Sequence, residues 1–160
     1  MKKVFYISLI LCMGALFCNA QTIPNTKIET SSGETINTST LIDGKPFILS
    51  FWSTTCKPCI MELNAINEQL EEWQEEADFN VVAVSIDDSR SLAKAKAMAN
   101  GFGWEFTTLY DKNQDFKRAM NVNTIPQVFV IDKNGKVVYS HSGYTPGSEL
   151  SLFEEIKKQQ

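Results

Sequence analysis

The chain has 160 residues, 43% of them hydrophobic, with 19 acidic against 15 basic residues and a formal charge of −4. That balance, without a basic cluster, argues against a nucleic-acid partner. Past the first twenty residues no apolar run is long enough to span a bilayer, and the length suits one domain with a real core that needs no staples.

Residues 1–20 read as a cleaved export signal. Lys2 and Lys3 are followed by the apolar run "VFYISLILCMGALF" and by "CNA", small at Cys18 and Ala20. Cleavage before Gln21 leaves residues 21–160 as the mature domain, removes Cys12 and Cys18, and takes the charge from −4 to −6. Lipid anchoring at Cys18 is the less favoured alternative, because bulky Phe17 stands directly before it.

The polar stretch after Gln21 contains "KIET-SSG-ETIN", two β-prone pieces around a Gly-containing turn, which predicts a hairpin. After the Asp-Gly turn of "LIDGKP", the run Phe47–Trp52 is nearly all apolar, as in a strand buried on both faces. The period then changes. Ile60, Leu63, Ile66, Leu70 and Trp73 recur every three or four residues with glutamates between them, an amphipathic helix with Pro58 in its tolerant first turn. "NVVAVSI" predicts a strand, "SRSLAKAKAMANG" a helix stopped at Gly101, "FTTLYD" a strand and "NQDFKRAM" a short helix. "PQVFVID-KNG-KVVYSHSG" predicts a hairpin around an Asn-Gly turn, and "SELSLFEEIKK" a last helix opened by Ser148. Strands alternating with helices, then a hairpin and a helix, predict a three-layer α/β domain with a mixed sheet.

"FWSTTCKPCI" places Cys56 and Cys59 where a buried strand feeds a helix. A staple stabilises chiefly by closing a long loop, and two intervening residues close almost none. Structural zinc needs four ligands, whereas the mature chain has these two cysteines and His141, distant in sequence at a strand end and read as a partly solvated residue without a site role. An incidental buried pair is the remaining structural alternative. The free N–H groups and dipole of the helix start favour an anion, so a thiolate forms more readily at Cys56 than in an unstructured chain. Lys57 adds positive charge and Pro58 stiffens the loop. The pair is best read as a redox centre that exchanges disulfides.

"FWSTTCKPC" behind an apolar strand, together with "TIPQVFVID", resembles the thioredoxin superfamily, and within it the exported TlpA/ResA-like thiol–disulfide oxidoreductases, over roughly residues 24–158. The resemblance implies a thioredoxin-like three-layer fold, a mixed sheet flanked by helices, with an N-terminal β-hairpin. It implies that Cys56 is the exposed nucleophile and Cys59 the resolving cysteine. Pro126 then corresponds to a cis-proline facing the pair, with the Ile125 backbone offered to an extended substrate. Trp52, Thr55 and Lys57 are implied to border the substrate, Trp52 also packing beneath the loop. Where thioredoxins carry a buried Asp this chain has Ser50, whereas Glu62 stands at the "C-x-x-C-x-x-E" spacing of ResA-like proteins. Glu62 is therefore expected to exchange protons with Cys59, the alternative being a solvated helix-face glutamate. Asp87 and Asp88 are read as structural, capping the next helix.

The implied activity is exported disulfide reduction, of the kind used in cytochrome c maturation, in the periplasm or cell envelope. Implied partners are disulfide-bonded protein substrates and a membrane thiol-electron donor. A monomer without cofactor or metal is expected. One alternative, a thiol peroxidase, requires P-x-x-x-T-x-x-C, where this chain has Leu49 and Ser53. Another, a metal carrier on a thioredoxin scaffold, uses wider cysteine spacing.

Overall fold

The computed structural model describes residues 21–160; the expected export signal lies outside them. The strands are β1 (Lys27–Thr30), β2 (Thr35–Asn37), β3 (Phe47–Trp52), β4 (Asn80–Ser85), β5 (Thr107–Tyr110), β6 (Gln127–Ile131) and β7 (Val137–Ser142). The helices are α1 (Lys57–Glu76), α2 (Leu92–Phe102), α3 (Asp115–Ala119) and α4 (Glu149–Lys157). All seven strands form one sheet in the order β2-β1-β5-β4-β3-β6-β7. β3 runs parallel to β4, and β4 to β5, while β6, β7 and the β1–β2 hairpin are antiparallel additions. The fold is thus the expected thioredoxin-like α/β arrangement with an N-terminal hairpin.

β3 is buried along its whole length because both sheet faces are covered. Phe47, Leu49 and Phe51 point into a core with Phe116, Met120 and Phe129, beneath α3. Ile48 and Trp52 point the other way, toward α1, α2 and α4. The apolar stripe of α1 lies against this second face. Leu63 meets Ala95 and Ala99 of α2, and Ile66, Leu70 and Trp73 meet Leu152, Phe153 and Ile156 of α4. Trp73 and Phe153 stack at 4.8 Å with their planes 2° apart, fixing α4 on α1.

Two predicted boundaries move. α2 runs through Gly101 and stops at Gly103, whose φ of 66° is the left-handed conformation that glycine adopts at a helix end. The β6–β7 connection closes over Asp132–Lys136, where only Gly135 has positive φ and Asp132 Oδ1 accepts from the Asn134 and Lys136 amides. It is a type I turn with a glycine bulge rather than a two-residue Asn-Gly turn. The positive φ of 83° is what calls for glycine here; a Cβ would in addition displace the tip of the Ile42 side chain, 2.5 Å away.

Phe153→Ala removes one partner of the α1–α4 stack from the core. We expect a loss of about 3–5 kcal/mol in denaturant unfolding, with the thiol chemistry at the distant α1 N-terminus retained in whatever fraction is folded.

Candidate active site

β3 ends at Trp52, and the loop 53–56 delivers Cys56 to the N-cap of α1. Two anchors hold that loop. Cys56 N donates to Ser53 O at 3.1 Å, and Asp87, just beyond β4, accepts from Thr54 N at 2.9 Å and Thr54 Oγ1 at 2.8 Å. Ser85 Oγ in turn donates to Asp87 at 2.8 Å. Asp87 therefore clamps the loop to the neighbouring parallel strand instead of capping α2. Asp88 does the local turn work, accepting from the Arg90 and Ser91 amides.

Cys56 and Cys59 are joined in a disulfide. Cys56 is half-buried at the surface, whereas Cys59 is fully buried. The Cys59 amide points at Cys56 Sγ across 3.3 Å, so a free α1 N–H serves the outer sulfur. Thr55, Lys57 and Pro58 are exposed around it. The Ile125–Pro126 peptide is cis. Ile125 packs beside Cys56 and Trp52, and the β6 ladder begins only at Gln127, leaving Ile125 outside the paired strands. Cys56, Cys59 and Ile125 thus fall in one packed cluster, with the cis Pro126 directly following Ile125.

Trp52 is 0% exposed and packs edge-on against Trp104 at 4.9 Å. It supports the loop from beneath, and the direct substrate contact expected of it has no exposed surface through which to act. Trp104 was not singled out from the sequence. It stacks between Phe102 and Phe106 and anchors its ring nitrogen on Asn64 of α1, 2.8 Å away.

Glu62 lies one turn after Cys59 and is 0% exposed, which excludes the solvated alternative. Its Oε1 is 2.8 Å from His141 Nε2, and its Oε2 is buried without a protein partner among the described residues. Burial pushes the Glu62 carboxyl above its ordinary value of 4.5; the hydrogen bond and charge of His141 pull the other way, and Glu149 adds to the rise. His141, read from sequence as half-solvated and idle, is instead the partner of this buried acid. Tyr144 completes the group, its hydroxyl pushed up to about 12 by burial and by neighbouring Glu149. Ser50 Oγ, at the position of the thioredoxin carboxylate, is also buried and unpartnered among the described residues.

A half-exposed sulfur on a helix start, a buried second sulfur, a cis-proline alongside and a buried acid one turn on define a thioredoxin-like C-x-x-C site. The family model described as AhpC/TSA matches residues 20–140. The chain belongs to the AhpC/TSA family. It is similar to thiol-disulfide oxidoreductase ResA of Bacillus thuringiensis (strain Al Hakam), with 33% identity over 115 residues, 72% of this chain and 64% of that protein. The match therefore spans just under two thirds of that relative's length. Thioredoxin-like protein YneN of Bacillus subtilis (strain 168) is 32% identical over 136 residues, 81% of this chain and 75% of that one. The solution structure of an uncharacterized thioredoxin-like protein from Porphyromonas gingivalis superposes with a TM-score of 0.76 at 46% identity, covering 86% of this chain and 90% of the other.

The raised Glu62 carboxyl has a consequence for stability. A folded pKa above the unfolded one favours the neutral acid, so its contribution is whole below about pH 4.5 and is lost as pH rises through the folded value. Glu62→Gln stays neutral at every pH. Thermal unfolding across a pH series should show the variant gaining stability relative to the native protein as pH rises toward neutrality.

Proposed function

We propose that the protein is an exported thiol–disulfide oxidoreductase that reduces disulfides in cell-envelope proteins, cytochrome c maturation among the uses this chemistry would serve. The observation that carries the reading is the asymmetry of the pair. Cys56 is reachable and faces a free helix amide, while Cys59 is sealed beneath it beside a buried acid.

In the reductive direction the Cys56 thiolate attacks a client disulfide, forming a mixed disulfide and expelling the first client thiolate. Cys59 then gives its proton to Glu62 and attacks the Cys56 sulfur. The second client thiolate leaves, the Cys56–Cys59 disulfide forms, and two electrons have passed to the client. A membrane thiol donor restores the dithiol by the reverse exchange, with the Glu62 proton returning to Cys59 as it departs. The client strand lies against the Ile125 backbone, outside the β6 ladder, with Thr55 and Lys57 at its edge and Pro126 closing the site. Main-chain pairing makes few demands on client sequence, which suits an enzyme with several clients. The mature chain is residues 21–160, acting as a monomer in the periplasm or envelope.

Cys59→Ser removes the resolving step and should accumulate client proteins as mixed disulfides on Cys56, visible on non-reducing gels of envelope extracts and reversed by dithiothreitol. Cys56→Ser should accumulate none. Equal trapping by both variants would contradict the assignment of nucleophile and resolver.

A further inference from the structure

Glu62 can accept the Cys59 proton only if its buried carboxyl is able to ionise, and its surroundings oppose that. Apolar packing removes its solvation, and the titratable groups facing it from other elements include two acids, Glu149 of α4 and Tyr144 of the β7–α4 loop. Its own helix contributes Cys59, one turn earlier. The one basic group among these neighbours is His141 of β7, whose ring is 17% exposed and lies 2.8 Å from Oε1.

From this geometry we infer that His141 is a positioning residue of the resolving step, holding Glu62 by Oε1 so that the unpartnered Oε2 is kept for the proton of Cys59. The inference rests on the proposed exchange between Cys59 and Glu62. As an N–H donor, His141 stabilises the carboxylate more than the acid. Without His141 the burial of Glu62 would be less opposed, and the carboxyl would be a poorer acceptor for the Cys59 proton.

The way β7 delivers this histidine is specific. Val128 of β6 stands opposite His141, and Ser50 of β3 stands opposite Val128, so the histidine shares the sheet face covered by α1. That register exists because the pairing slips at Val130/Ile131, where Tyr139 opposes Val130 but Val137 opposes Ile131. With even pairing from Val137 onward, His141 would fall on the opposite face. Gln127 Nε2 donates to His141 O at 2.9 Å and pins the strand at that point, while Tyr139 packs on the ring at 5.9 Å.

The resolving step can be read alone. The reduced protein reacts with 5,5′-dithiobis(2-nitrobenzoate), one thionitrobenzoate leaves as the mixed disulfide forms on Cys56, and a second leaves when Cys59 attacks. The rate of the second release across pH 5–9 in the purified protein is the readout. We expect His141→Ala to move the acid limb to higher pH and slow release on that limb about tenfold, the worth of one lost charge-assisted hydrogen bond. His141→Gln places an N–H donor near the same point and should recover most of that loss. Superimposable profiles for the native protein and His141→Ala would overturn the inference. So would an equal, pH-independent slowing in both variants, which marks packing alone. If Glu62→Gln leaves the profile unchanged, it is the proton exchange between Glu62 and Cys59 that fails instead.

Discussion

The Cys59 amide points at the Cys56 sulfur across 3.3 Å, and that contact depends on β3 ending at Trp52 and α1 beginning at Lys57. Both limits are set by burial. β3 must lie within the sheet because all six of its residues are covered, and α1 must lie flat on the sheet because its apolar stripe is matched by α2 and α4. The four-residue loop between them is then taut, with Asp87 clamping Thr54 at its middle. The sulfur stands where the helix has amides to spare. Moving the start of α1 by one residue would turn that sulfur away from the amides.

Beneath the loop the molecule accepts a cost. A carboxyl with no exposed surface, a serine hydroxyl and an indole N–H without partners among the described residues all lie on the α1-facing side of the sheet. Buried polar atoms left unmatched are destabilising, and proteins retain them mainly where they serve chemistry. They lie on the same side of the sheet as the inner sulfur, whose residue has no exposed surface. A buried thiol that must lose and regain a proton needs a local acceptor, and Glu62 is the titratable group one helical turn away.

Much of this was legible in the letters because burial writes a period into the sequence. Phe47–Trp52 could only be a covered strand, and Ile60 through Trp73 could only be one face of a helix. Cys59 and Glu62 share one side of that helix by spacing alone, but that Glu62 is buried and not solvated came only from the packing around it. Other features were not legible. His141 required the β6–β7 register, and one bulge residue reverses which side of the sheet a side chain occupies. The Asp87 clamp is a contact between residues 33 apart, made by a side chain whose neighbours also suit a helix cap. Trp104 joins the site through Trp52 and Asn64, a long-range packing relation with no local signature. The end of α2 was missed by two residues because Gly101 and Gly103 both offer a stop, and only backbone geometry selects the second.

The central claim is that the folded helix start activates the outer sulfur. In a Cys59→Ser protein comprising residues 21–160, Cys56 is the single cysteine, and its alkylation by iodoacetamide at pH 6 can be timed in the folded state and in denaturant. The account predicts faster reaction in the folded state, because the thiolate is favoured at the start of α1 and lost when the helix unfolds. Reaction as slow in the folded protein as in denaturant, or slower, would contradict it.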